Sequence, residues 1–172
     1  MASLHSYFSK ENLKWLKIIG YYQIIGGIIG TLGMIWLFSQ NPIFLIGVLV
    51  IIGVNINAFS IYAGVCILKN SNLKPTYYVQ VIQVLNFIGL GVTYEVVLGS
   101  ALGFGFEWID SAKIVLNFQL VSSFNFKYNN TSNDAIRVVV NFIPIIIINY
   151  LMKCVEKAEE KKILMKVNEI GK

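Results

Sequence analysis

The chain has 172 residues, of which 56% are hydrophobic and only 13% charged, with a formal net charge of +5. Soluble domains carry about 25% charge, so this composition excludes a disordered chain, a coiled coil and a water-soluble nucleic-acid binder despite the basic balance. The two cysteines, Cys66 and Cys154, are too few and too far apart for a disulfide framework or a zinc site.

Taken from the N-terminus, Ser9 with Glu11 two residues on has the form of a helix cap. It leads through Lys10, Lys14 and Lys17 into Ile18–Phe38, the first of four apolar stretches. The others are Ile43–Leu68, Tyr77–Phe104 and Ile136–Met152. A spanning helix needs roughly 20 apolar residues to cross about 30 Å of hydrocarbon, and on that measure all four are expected to span. Pro144 is expected to kink the last. A short turn around Asn41–Pro42 makes spans 1 and 2 a tight hairpin, and the polar run Lys69–Thr76 joins spans 2 and 3.

Orientation follows from the cations. Eleven of the fourteen basic residues precede span 1, separate spans 2 and 3, or follow span 4; Lys113, Lys127 and Arg137 do not. The positive-inside rule then puts both termini in the cytoplasm. Between spans 3 and 4, residues 105–135 face outward on this reading. Within them Asn117–Tyr128 alternates with a period of two, which predicts a strand, or two strands turning at Ser122–Ser123. The polar stretch Asn129–Asp134 follows as a loop. Beyond span 4, residues 153–172 alternate Lys and Glu around Val155, Ala158, Ile163 and Val167, the pattern of an amphipathic cytoplasmic helix.

The expected fold is therefore an all-α integral membrane protein, a four-transmembrane-helix bundle. Its parts are a cytoplasmic segment 1–17, spans 1–3 within 18–104, a small extracytoplasmic cap with a β-hairpin at 105–135, span 4 at 136–152 and the tail 153–172.

In lipid, small residues and interhelical hydrogen bonds bring helices together. Gly26, Gly30 and Gly33 share a stripe with Gln23 on span 1, and Gly53 and Gly64 share one with Asn57 and Ser60 on span 2. Gly99 and Gly103 form a Gly-x-x-x-Gly pair on span 3. All are expected to be packing positions. At 1.5 Å per residue, Gln23, Asn57, Gln83, Asn86 and Asn149 fall at one depth, roughly 5–12 Å from the inner boundary. They form a polar belt that either bonds internally or lines a wet path. Glu95, the only carboxylate inside the four stretches, either snorkels to the headgroups or faces ions at an outer vestibule.

Enzymatic chemistry has no foundation here. The single histidine is His5, and the chain has no metal-binding His-Glu-x-x-His, P-loop, nucleophile elbow or Cys-x-x-Cys. No cofactor and no metal are implied. Two function classes stay open. One is a non-enzymatic accessory or scaffold subunit of a membrane complex; the other is a homo-oligomeric pore or membrane-perturbing effector lined by the amide belt. The partners implied are the lipid bilayer and either a second copy of the chain or a membrane or cytoplasmic protein, with no nucleic acid. Heavy use of Ile, Asn and Lys fits a multi-pass protein of a bacterial inner membrane.

Overall fold

The computed structural model describes residues 7–40, 44–69, 72–89, 92–108, 111–120, 122–128 and 136–170. The turn at Asn41–Pro42, the loop Asn129–Asp134 and His5 lie outside these residues. Two long helices open the chain: α1 (Lys10–Gln40) and α2 (Phe44–Leu68). The Ser9 hydroxyl accepts the Asn12 backbone N–H at 3.1 Å, satisfying one of the donors that a helix start leaves open. A short helix α3 (Lys74–Val81) follows, then six strands and a last long helix.

The two long helices form an antiparallel hairpin, and glycines decide how closely they meet. A Cβ on Gly64 would lie 2.5 Å from the Gly20 carbonyl oxygen, and one on Gly27 would lie 2.7 Å from the Asn57 carbonyl oxygen. The backbones approach at those points because no side chain stands between them.

The strands are β1 (Leu85–Gly89), β2 (Val92–Val97), β3 (Ala101–Trp108), β4 (Ala112–Gln119), β5 (Ser123–Tyr128) and β6 (Ile136–Asn141). They form one sheet in the order β4-β3-β6-β1-β2-β5, antiparallel throughout. Its construction is unusual. Val97 faces Ser123 and, four residues along on each strand, Ala101 faces Gln119, so the register is unbroken between the two pairs. β2–β3 and β4–β5 are thus the two sides of a single long hairpin, folded over between Val97 and Ala101 on one side and between Gln119 and Ser123 on the other. The gap between its two halves is filled by β1, which pairs with β2, and β6, which pairs with β3.

The last helix, α4 (Phe142–Ile170), starts directly from β6. The Asn141 side chain accepts the Ile143 N–H at 3.2 Å and the Leu102 N–H at 3.1 Å, capping the helix and fixing it to β3. Two buried clusters hold the parts together. Phe8, Leu16 and Ile19 meet Ile67 of α2 and Leu151, Cys154 and Ala158 of α4. Ala63 of α2 meets Val79 of α3, Val96 of β2 and Leu98.

The four-span bundle is overturned: the described residues form four helices and a six-stranded antiparallel sheet. Among them only α1 and Gly47–Leu68 of α2 have the length and hydropathy to cross a membrane. The stretch Tyr77–Phe104 divides into most of α3, β1, β2 and half of β3, while Ile136–Met152 divides into β6 and the start of α4. Both are apolar because a sheet and a helix each bury one face, and summed hydropathy does not distinguish two short elements from one long helix. Pro144 makes no mid-span kink. It is the third residue of α4, where a missing N–H costs nothing. Within Asn117–Tyr128, the end of β4 and all of β5 are strand as expected, yet the two do not pair with each other. They continue in register along β3 and β2, so the described residues form no separate cap hairpin.

Candidate functional site

The polar residues converge where the bent sheet meets the helical hairpin. The fold in the long hairpin sits against α1. The Tyr22 hydroxyl accepts the Ser100 N–H at 2.9 Å and donates to the Ser100 carbonyl at 3.1 Å. The Ser122 hydroxyl accepts the Gly99 N–H at 2.7 Å and donates to the Gly26 carbonyl, also at 2.7 Å. Gly99 has φ +107°, and a Cβ there would lie 2.5 Å from the Tyr22 ring. A side chain is thus excluded both by backbone conformation and by the approach of the ring. Gly26 meets the other side of the same corner, with the Gly99 backbone 2.8 Å from where its Cβ would be.

Two of the amides fix this corner from within. Gln83 is fully buried; its Oε1 accepts the Leu98 N–H at 2.7 Å and its Nε2 donates to the Val79 carbonyl at 2.8 Å. The Asn86 Oδ1 accepts the Val96 N–H at 3.3 Å. The Tyr94 hydroxyl donates to the Ile82 carbonyl at 2.7 Å, and burial pushes its pKa up.

A second polar group lies between α1, α2 and α3. The Thr76 hydroxyl donates to Gln23 Oε1 at 3.1 Å, the Ser60 hydroxyl to the Gln23 carbonyl at 3.1 Å, and Asn57 Nδ2 to the Gly53 carbonyl at 2.8 Å. Gln23, Ser60, Thr76 and Gln80 are fully buried and Asn57 nearly so. Neither the nitrogen nor the oxygen of the Gln80 amide has a hydrogen-bond partner, and Gln23 Nε2 and Asn57 Oδ1 also lack one.

The expected belt therefore splits. Gln23 and Asn57 are in the helix junction, Gln83 and Asn86 are at the sheet corner, and Asn149 is exposed on α4. Of the glycines, Gly30 presses on the Asn57 amide, Gly53 receives the Met34 sulfur, and Gly64 meets Gly20. Gly33 has nothing within 4 Å of its Cβ position. Gly103 is in β3, close against Val139 of β6. Glu95 is in β2 and lines a small cavity of about 30 Å³ with Asn86, Asn117, Arg137 and Val139, room for one or two waters. Four strands contribute to that lining, so the sheet curls around a polar interior.

Sequence reasoning missed Tyr22 and Ser100, and read Ser122 only as part of a turn. The available signal was two pairs of small residues, Gly99–Ser100 and Ser122–Ser123, each interrupting an apolar or alternating run. At the base of α1, the Tyr150 hydroxyl donates to Asn12 Oδ1 at 3.4 Å. Burial raises its pKa and that of the neighbouring Cys154 thiol. Among the described residues no three His, Cys, Asp or Glu side chains converge as a metal site would require. The chain matches no family model, no curated protein and no solved structure.

Proposed function

We infer that this protein is a non-enzymatic accessory or scaffold subunit of a membrane complex, anchored by the α1–α2 hairpin in a bacterial inner membrane. The apolar stretches of both helices are mostly exposed, which suits lipid and not a soluble core. No charged residue occurs between Ile18 and Leu68, and all fourteen basic residues lie outside that range. On the positive-inside rule the base of the hairpin, with the sheet and α4, is cytoplasmic.

The observation that carries the non-conducting reading is the burial of Gln23, Asn57 and Gln83 within one subunit. Gln23 links α1 to α3 through Thr76, and Gln83 links α3 to the sheet corner at Leu98, while Asn57 bonds within α2. A pore wall would keep such amides in water. The outer turns of α4, with exposed Ile163, Leu164 and Val167 among lysines and glutamates, offer an amphipathic surface for a cytoplasmic protein.

The test is ion flux through liposomes containing the purified protein, beside an Asn57→Leu, Gln83→Leu double variant. The expected result is no flux above empty liposomes from either. Flux in the parent that the variant loses would establish a pore and sink the accessory reading. Extraction in mild detergent gives the second arm: a native mass no larger than an oligomer of this chain alone would also refute it.

A further inference from the structure

The lengths of the two hairpin arms and the polarity of β3–β4 lead to one further inference. The sheet corner is fixed to α1 at Tyr22 and Gly26, and on α2 the sheet cluster reaches Ile56. Beyond those points α1 has fourteen residues, Gly27–Gln40, about 21 Å of helix. On α2, Phe44–Asn55 has twelve, about 18 Å. The hydrocarbon is about 30 Å thick. For the polar tip at Ser39–Gln40 to reach the far headgroups, the docked corner must sink about 10 Å below the near boundary.

The sheet is built for that position. Phe104, Phe106 and Trp108 of β3 and Ile114, Leu116 and Phe118 of β4 point to one face and are exposed, Leu116 at 78%. Facing pairs such as Phe104–Leu116 and Phe106–Ile114 make that face continuous. The opposite face carries Lys113, Asn117 and Gln119 and curls toward the polar cavity. Soluble antiparallel sheets have the reverse polarity, apolar inside and polar outside. The apolar surface also extends beyond the sheet. At the start of α4, exposed Phe142, Ile145 and Ile146 adjoin β3. A groove of about 420 Å³ lined by Trp15, Ile18, Tyr22, Ile143 and Ile147 then leads to α1.

We propose that the outer face of β3–β4 is a lipid-contact surface lying in the near-side interface of the bilayer that the α1–α2 hairpin enters. This rests on the membrane anchoring of α1 and α2 inferred above. Among the described residues β4 is an edge strand, and that edge sets the depth: its outward amides cannot enter hydrocarbon, but at the headgroup boundary water and lipid oxygens satisfy them. Amphipathic elements at that boundary bury their apolar face by about 5–10 Å, the depth that the arm lengths require.

The experiment uses the full chain in vesicles of phosphatidylethanolamine and phosphatidylglycerol with brominated acyl chains, reading quenching of single tryptophans. Trp15→Phe with Trp36→Phe leaves Trp108 as reporter; Trp15→Phe with Trp108→Phe leaves Trp36 in the hairpin. A third protein combines all three Trp→Phe changes with Leu116→Trp, so that the result does not depend on one site. The expected result is loss of emission from the Trp108 and Leu116→Trp reporters comparable to that from Trp36, with protection from acrylamide. Quenching by acrylamide and not by lipid would overturn the proposal and make the face solvent-exposed. Quenching by neither would overturn it in favour of a second copy or another protein covering the face. An unquenched Trp36 would remove the membrane anchor itself, a failure distinct from the first two.

Discussion

Replacing Gln83 by methionine keeps the length and shape of the side chain while removing both polar atoms. In the parent, Gln83 Oε1 takes the Leu98 N–H at 2.7 Å and Nε2 gives to the Val79 carbonyl at 2.8 Å, at a position with no solvent exposure. The variant leaves a backbone donor and a backbone acceptor without these partners where no water reaches. Each buried group left unpaired costs roughly 1–3 kcal/mol, so the expected loss for the two is about 2–6 kcal/mol. For a chain of this size that lowers the thermal midpoint by roughly 5–20 °C. The assay is thermal unfolding followed by near-ultraviolet circular dichroism in detergent, with amide hydrogen exchange at Leu98 as the local readout. Asn149→Met is the control, since Asn149 is an exposed amide and its change is expected within about 0.5 kcal/mol. A Gln83→Met protein as stable as the parent, with Leu98 still protected, would refute the role of this amide in fixing the corner. Equal losses at Gln83 and Asn149 would refute the division of the amides into buried and exposed sets.

Two further outcomes follow from the same geometry. Gly30→Ala should destabilise the hairpin, because its Cβ would meet the Asn57 amide, whereas Gly33→Ala meets nothing and should be neutral or gain about 0.5–1 kcal/mol of helix propensity; paired denaturation midpoints decide this, and equal losses would refute the packing described. Tyr94, Tyr150 and Cys154 all have pKa values raised on folding, chiefly by burial. A raised folded pKa gives stability that is whole below the unfolded value and lost as pH climbs through the window between the two. The thermal midpoint should therefore hold through neutral pH and fall above about pH 8.5, where an ordinary thiol begins to ionise. Cys154→Ala should remove the first part of that fall, and a profile rising with alkalinity would contradict it.

The hairpin was legible in the sequence because its evidence is local: two long charge-free stretches, a short connection, and glycines spaced to bring backbones together. The sheet was not. Its outer face is apolar, so β1, β2 and β3 together with α3 produce an unbroken hydropathic run that imitates a helix. The pair Gly99–Gly103 has the spacing of a helical packing motif. The sequence Gly103–Phe104–Gly105–Phe106 contains a better guide, since a period of two puts both glycines on one face of β3, where the neighbouring strand β6 approaches closely. Similarly, Asn141 and Pro144 bracket a helix start, but inside a run of isoleucines and valines they look like interruptions of a span. The amide belt rested on equal depth in four parallel helices. Once one of the four is mostly strand and another is split between strand and helix, depth no longer relates the residues, and Gln83 and Asn86 belong to the sheet corner instead.

The doubled-over hairpin has a consequence for the order in which the protein is made. Within residues 92–128, β3 pairs with β4 and β2 with β5, so this hairpin can zip up as soon as it emerges. β1 cannot be completed that way: its second neighbour is β6, with Leu85 opposite Val140. Until β6 is synthesised, β1 and β3 each keep an unpaired edge, and such edges invite pairing with other chains. By then α1 and α2 have long been available for insertion. A nascent chain already anchored in the bilayer would hold those edges near lipid and apart from other copies, and the closing strand would arrive together with the helix that Asn141 caps.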